Sequence, residues 1–450
     1  MHIFSLLFPL LLQIPSLPEF IISTENSLTE SFQNGELVYI NNTDTVHFHI
    51  DCRRRGASSM IYDKPAMAIK LKDEQGENLD FSFLGMREDN YWVLDAMAID
   101  CARMRNRAAM NLWLEMAPPV WYHQEEPKAK NGCSGQFISV VLNDKPMGIY
   151  HLLERLDRKQ LKLKKYDAKE QEFKGILYKT CSWENVAFNP FSNPEPTNNQ
   201  STWAGWEISY PDPDDEPITW EPLMNFYHFI VDSDSATFAN QIADYLDIPT
   251  FIDYQLFIQL LSARDNAGKN NYWSFYNIQS SPRAMISLWD IDHSWGRMYD
   301  GNEEESDYIL GEGNNIQRKL RLYYPHYNET IKTRYAELRS HIFTIQHLDS
   351  IFLPYFELFA VTQMDKTEQT LWSGHNNITF DIPSEKDYIH QWLQKRLVFL
   401  DFYYDYSTIT TSFIKTNNDN RPLKLLLPNG NLLIRRADDF YTIDGNKYRL

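Results

Sequence analysis

The stretch that decides the fold reads Asp265-Asn266-Ala267-Gly268-Lys269-Asn270, then Tyr272-Trp273-Ser274-Phe275-Tyr276-Asn277-Ile278. After Ser280-Ser281-Pro282-Arg283 it continues Met285-Ile286-Ser287-Leu288-Trp289-Asp290-Ile291-Asp292-His293-Ser294-Trp295-Gly296. The aromatic-rich run 272–278 reads as a strand. Ser-Ser-Pro-Arg is turn chemistry, and Met285–Trp289 reads as the returning strand. A hairpin folds its two ends together, so Asp265, just before it, and Asp290, just after it, converge. Upstream, Ile252, Leu256, Phe257, Leu260 and Leu261 recur at helical spacing, which predicts an amphipathic helix over 250–264 that stops at Arg264.

Phosphoryl transfer asks few things of a protein: an acceptor for the incoming hydroxyl proton and oxygen ligands for Mg²⁺ on the nucleotide phosphates. An Asp followed five residues later by an Asn is the spacing of a kinase catalytic loop, and a second Asp past the hairpin completes a metal site. Asp and Asn are also ordinary loop residues, because their side chains bond nearby backbone. The pair of motifs bracketing a hairpin is what carries the reading.

Further blocks follow the same order as in a known family. Arg55-Gly56-Ala57-Ser58-Ser59 opens the series. Next come Leu84-Gly85 with Trp92-Val93-Leu94-Asp95-Ala96, and then Arg105-Asn106-Arg107 at a helix start. Val140-Val141-Leu142-Asn143 with Gly148-Ile149-Tyr150-His151-Leu152-Leu153-Glu154 follows, then Leu177-Tyr178-Lys179 and the 265–296 region. Together they resemble the CotH (spore coat protein H) family of atypical secreted kinases, over about residues 35–405. The resemblance implies an α+β, divergent protein-kinase-like fold with a β-rich N-terminal lobe and a helical C-terminal lobe. It implies ATP and Mg²⁺ (or Mn²⁺) as cofactors and a protein substrate with Ser/Thr acceptors. Residue by residue, Asp265 would be the catalytic base. Asn270 and Asp290 would hold the metal, with Asp292 as a second ligand or an orienting partner. Lys179 would contact nucleotide phosphates, Glu154 would pair with Lys179, and Arg55 would contact phosphate. The chain departs from the family at Asp144-Lys145-Pro146-Met147, where the family often has an extra Gly and an aromatic residue.

Each of these residues has a plainer reading beside the functional one. Arg53-Arg54-Arg55 also reads as a solvated basic patch, Lys179 as a surface lysine and Glu154 as a structural partner. Trp289 and Trp295 read as packing around the site. His293 reads as a hydrogen-bonding residue, since Mg²⁺ prefers oxygen. No Gly-x-Gly-x-x-Gly occurs, so the phosphates must be held by other means.

Composition bounds the rest. With 43% hydrophobic residues in 450, the chain can bury a large core, and its formal charge of −18 makes nucleic acid and anionic membrane poor partners. Ile3 through Pro15 is almost wholly apolar but too short for a stable membrane span. It reads as a signal peptide over 1–18, placing the protein as secreted, periplasmic or at the cell surface, with a buried N-terminal segment as the alternative. Cys52, Cys101, Cys133 and Cys181 lack Cys-x-x-Cys spacing, so zinc is not indicated. Export would allow one or two disulfides.

Along the chain, residues 25–405 read as one kinase-like domain and 406–450 as a β-rich tail of two or three strands from Leu423. Short strands alternate with turns from 25 and lead into a helix near 98–115. A strand pair is expected over 136–155 with Asn143-Asp144 at the turn, and a long polar loop over 184–217. Helices are expected over 218–264, 327–362 and 384–405, the last opened by a Ser384-Glu385-Lys386-Asp387 capping box. Two alternatives to protein phosphorylation stay open. One is a non-catalytic surface or coat protein that assembles or adheres. The other is an enzyme that modifies a small molecule or glycan.

Overall fold

A computed structural model describes residues 16–311, 314–377 and 381–406, and the backbones of four short strands between 423 and 448. The chain divides into two compact units. The first takes residues up to Ala98 together with Gln136–Leu152 and Leu353–Pro383; the second takes Ile99–Gly135, Leu153–Phe352 and the chain from Ser384 on.

The first unit is built on seven strands: β1 (Glu19–Thr24), β2 (Gln33–Asn41), β3 (Asp44–Arg54), β4 (Met67–Lys72), β5 (Tyr91–Asp95), β6 (Gly135–Leu142) and β7 (Lys145–Leu153). Alternate residues such as Leu37, Tyr39, Phe48, Ile50 and Cys52 are buried, as a period of two demands when one face meets a core. The strands close into a barrel in the order β1-β2-β3-β4-β5-β7-β6. Closure comes from β1, which pairs antiparallel with β2 and parallel with β6, Phe20 opposite Val140. Phe83 fills the interior, its ring 4.9–5.7 Å from those of Phe20, Tyr39, Phe48, Phe81 and Trp92. The expected turn between β6 and β7 is present. Asn143 and Asp144 both have positive φ (51° and 63°), as a two-residue hairpin with the twist of its strands requires.

The second unit holds a five-stranded sheet in the order β12-β11-β8-β10-β9. Its strands are β8 (Ile176–Thr180), β9 (Thr202–Trp203), β10 (Trp206–Tyr210), β11 (Asn271–Phe275) and β12 (Ala284–Leu288). The helices of the chain are α1 (Arg105–Met116), α2 (Arg158–Leu161), α3 (Glu221–Asp232), α4 (Ser235–Tyr245), α5 (Ile248–Leu261), α6 (Asn315–Tyr323), α7 (Tyr327–His341), α8 (Ile345–Val361), α9 (Met364–Trp372) and α10 (Ile382–Tyr403). The protein is therefore α+β, β-rich in its N-terminal region and helical in its C-terminal region. Among the described residues no helix is long and apolar enough to cross a membrane.

Several expectations need correction. The helix over 250–264 is not amphipathic: every residue of α5 except Pro249 is buried, the polar Asp253, Gln255 and Gln259 among them. The 184–217 segment is not a plain loop, because β9 and β10 lie within it and β10 pairs with β8. The last helix starts at Ile382 rather than at a Ser384 cap. All four cysteines are free. The C-terminal tail forms a four-stranded antiparallel sheet, β13 (Leu423–Leu426), β14 (Leu432–Arg436), β15 (Asp439–Thr442) and β16 (Lys447–Tyr448). The turns expected at 428–430 and 444–445, and residues 1–15 of the apolar N-terminal run, lie outside the described residues. Leu17 is buried, and the Pro18 carbonyl accepts a hydrogen bond from the Ser139 N–H at 2.9 Å.

Candidate functional site

The site grows out of the β11–β12 hairpin. Their register, Asn271 opposite Leu288 and Phe275 opposite Ala284, leaves Asn270 and Trp289 facing each other at the open end, where the Trp289 N–H donates to the Asn270 carbonyl at 3.3 Å. Asn270 and Asp290 flank this bond, both in the left-handed region (φ 55° and 56°), a conformation Asn and Asp tolerate better than most side chains. One residue ties the arrangement together. The Asn266 side-chain amide donates to the Asn270 and Trp289 carbonyls, 2.9 Å each, while the Tyr254 hydroxyl of α5 donates to the Asn266 carbonyl. The strand next door contributes as well: the Asn270 N–H donates to the Thr180 carbonyl (3.1 Å) and the Asn271 N–H to the Thr180 hydroxyl (2.9 Å).

Asp265 begins the turn after α5, where Arg264 grips Glu304 with two hydrogen bonds of 2.8 Å. Its Oδ2 lies 3.0 Å from His293 Nδ1 and 3.0 Å from Lys269 Nζ. Burial alone would raise the Asp265 carboxyl, but the bond and charge of His293, with Lys269, outweigh it and hold the group below its ordinary value. Burial would likewise discharge His293. Asp292, Asp265 and Asp290 override that and push it up to about 9, so it is an imidazolium at neutral pH. His293 Nε2 stands 3.6 Å from Asp292 Oδ1, so the ring bridges the loop carboxylate and the Asp-x-Asp segment.

That segment is fixed from behind. The Ile291 N–H donates to Asn106 Oδ1 at 3.3 Å, and the Trp295 N–H to the Leu261 carbonyl at 3.0 Å. Gly296 has φ +85°, and a Cβ there would stand 2.7 Å from the Trp392 ring, so the backbone lies directly on α10. Arg297 and the fully buried Arg105 share one carboxylate, Glu385, at 2.5 and 2.6 Å, and Arg105 also meets Asp100 at 2.6 Å.

The other expected residues fall as follows. Lys179 of β8 lies in the same sheet, opposite Tyr272, with its ammonium 5.2 Å from the centre of the Trp289 ring and 2.8 Å from Glu207 Oε1. Glu154 is buried and accepts from the Ser134 N–H at 2.9 Å and the Gln160 amide at 3.0 Å. Lys179 and Glu154 thus each have a partner other than the one expected. Arg55 belongs to the first unit, where its N–H donates to the Ala66 carbonyl. Trp295 is core, its ring 4.6 Å from Phe352. Sequence reasoning missed Asn266, Lys269 and Asn106. The signal for Lys269 was its place four residues after Asp265 in a loop containing glycine; nothing distinguished Asn266 or Asn106 from other loop and helix asparagines.

Asn270, Asp290 and Asp292 offer an amide and two carboxylates, the hard oxygen donors Mg²⁺ takes. Among the described residues no three His, Cys, Asp or Glu side chains converge to hold a metal by themselves.

Residues 52–400 match the family described as CotH kinase protein. The chain is 22% identical over 308 residues to the inner spore coat protein H of Bacillus subtilis (strain 168), covering 68% of this chain and 76% of that protein. It is also 32% identical over 88 residues to an uncharacterized protein CXorf58 homolog of Mus musculus, 19% of this chain and 24% of that one. With the family's pattern running through well over half of its length, the chain belongs to the CotH kinase protein family.

Proposed function

We propose that the protein is an exported atypical kinase with a divergent kinase-like fold, passing the γ-phosphate of ATP to Ser or Thr hydroxyls of a protein. The observation that supports this most is the Asn266 clasp. It holds Asn270 and Trp289 together and so gathers Asp265, Asn270 and Asp290 at one end of a hairpin. Asp265, held ionised, is suited to accept the proton of the attacking hydroxyl. Asn270, Asp290 and Asp292 would hold Mg²⁺, which when bound offsets charge on the phosphates. Lys179, on the neighbouring strand, would contact the nucleotide phosphates, with Arg55 as a further phosphate contact and Glu154 as a partner for Lys179. Secretion and a place in a coat or at a cell surface rest on the apolar N-terminal run and on the name of the Bacillus relative.

The test is incubation of the purified protein with labelled ATP and Mg²⁺ or Mn²⁺, beside Asp265→Asn and Asp290→Asn. Label on the wild type that is lost in both variants is the expected result. No label with either metal, and no nucleotide-dependent shift in Tm, would favour the second reading, a coat or adhesion protein without catalysis. That reading draws on the relative's name and on the engagement of Asp265 Oδ2 by two cations.

A further inference from the structure

At the closed end of the β11–β12 hairpin, away from Asp265, the second unit carries a groove of about 710 Å³. Its floor is apolar. The buried rings of Phe226 from α3 and Phe275 from β11 lie 6.3 Å apart, and Pro222 and Tyr245 line the groove beside them. Tyr245 is fixed by stacking on Phe229, the ring centres 4.0 Å apart and the planes within 3° of parallel. The hairpin turn lines it too, through Ile278 and Gln279. That turn is tied to the segment before β8: the Ile278 N–H donates to the Lys174 carbonyl (2.8 Å) and the Gln279 amide to the Phe173 carbonyl (2.9 Å). Packing and backbone bonds thus hold the groove in shape.

Its charge is one-sided. Glu170, Glu172 and Glu221 all line it, Glu221 exposed at the start of α3. Lys169 meets Glu170 at 3.8 Å with both side chains largely exposed, and Lys174 is shared between Glu172 at 3.3 Å and Asp167 at 3.0 Å. Exposed pairs contribute little, so an incoming cation displaces Lys169 at small cost. Lysine and arginine carry a charged head on an apolar stem. The stem suits a floor of Phe226, Pro222 and Tyr245, where aromatic faces also attract the cation, and the head suits the glutamates above it. An anionic occupant would be repelled, and a wholly apolar one would take water from the carboxylates and give nothing back.

We propose that this groove docks a basic segment of a partner protein, with Lys or Arg stems on its aromatic floor and their charges on Glu170, Glu172 and Glu221. The formal charge of −18 favours the approach of such a partner. Strand β11 is five residues long, which sets the groove about 17 Å from the open end of the hairpin, where Asn270 and Asp290 lie. A segment held in the groove leaves Asp265 uncovered, and the rest of its chain is kept at high local concentration near the site. Docking of this kind needs no transfer of phosphate and goes beyond the kinase reading.

The experiment follows fluorescence anisotropy of a labelled peptide of lysine and alanine, which has no hydroxyl acceptor, on the full chain. The same peptide with glutamate in place of lysine serves as its counterpart. The wild type should bind the first and not the second. Glu170→Gln, Glu172→Gln and Glu221→Gln together should weaken binding by about tenfold, as three exposed charge pairs would. Asn225→Trp fills the groove without altering charge and should weaken it to a similar extent. A control triple, Asp44→Asn, Glu74→Gln and Glu77→Gln, removes the same charge from exposed positions of the first unit and should leave binding as it was. Equal weakening by the control triple, or no effect of Asn225→Trp, would show attraction to net charge alone and overturns the proposal. So does a wild type that does not bind the lysine peptide. Asp265→Asn should bind as the wild type does; loss of binding there would put the peptide at the candidate active site and overturns the groove. Binding that survives while no label is transferred from ATP keeps the groove and sinks the kinase reading. Should Asn225→Trp fail to fold, Asn225→Arg, which sets a cation in the groove, is read in its place.

Discussion

The Asn266 side-chain amide lies 2.9 Å from the Trp289 carbonyl, across 23 residues of sequence, and the same nitrogen reaches the Asn270 carbonyl. Replacing Asn266 by Ala removes one donor from each of two hairpin carbonyls, of which that of Asn270 keeps the Trp289 N–H. At about 1 kcal/mol per net hydrogen bond, Asn266→Ala should cost about 2 kcal/mol in urea unfolding and abolish any transfer of label. A loss under about 0.5 kcal/mol would mean that water replaces the clasp.

The pairing of His293 with Asp265 should give the metal-free protein a defined pH profile. His293 titrates near 9 when folded and near 6.5 when unfolded, so its contribution is complete below about 6.5 and is lost as pH rises through about 9. Asp265 lies below its ordinary 3.8, so its contribution is complete above that value and is lost as pH falls through the lower folded value. Stability should therefore form a plateau between about 4 and 6.5 and decline on the alkaline side by up to about 3 kcal/mol. His293→Gln should flatten the alkaline decline; an unaltered slope in chemical denaturation across pH 6.5–9 would refute it.

Gly268 has φ −148°, outside the left-handed region, and a Cβ there would stand 2.7 Å from the Trp183 ring. Gly268→Ala should cost about 1–3 kcal/mol by overpacking against Trp183. Adding Trp183→Ala should recover most of that loss. Thermal unfolding of the two single variants and the double variant gives the coupling, and additive effects would show that the ring simply swings away.

In the first unit, Lys64 and Glu368 form an ion pair of 2.8 Å with exposures of 2% and 0%, and Glu368 also accepts the Ile149 N–H at 2.5 Å. Breaking a buried pair strands a charge and typically costs 3–5 kcal/mol, whereas replacing both partners costs far less. Lys64→Met should therefore be more damaging than Lys64→Met with Glu368→Leu. The opposite order in denaturant midpoints would count against the pair as drawn.

What the sequence revealed depended on how local the determining forces were. The hairpin was legible because aromatic strands and a Ser-Ser-Pro-Arg turn are written in adjacent residues. Asn143-Asp144 was legible for the same reason. The apolar residues of α5 gave its position but not its surroundings, since burial on every side depends on neighbours far along the chain. The closed barrel could not be read, because it rests on Phe20 lying opposite Val140, a parallel pairing across more than a hundred residues. The candidate site was legible in its carboxylates and in Asn270. It was illegible in Asn266 and Lys269, whose roles come from where the backbone returns and not from residue type. The helix α6 puts Ile316 and Leu320 on one buried face, but at 9 residues it is too short for that stripe to stand out within a polar segment.

Glu385 receives Arg297, from just past the Asp-x-Asp segment, and Arg105, from the first turn of α1. Two stretches 192 residues apart in sequence thus share a single anchor in α10. Amide hydrogens near 105 and near 297 should exchange through one common opening event, and Glu385→Gln should speed both together. A disturbance entering at α10 would therefore reach the edge of the site and the start of α1 as one event, with no contact to Asp265 or Asp290 needing to change first.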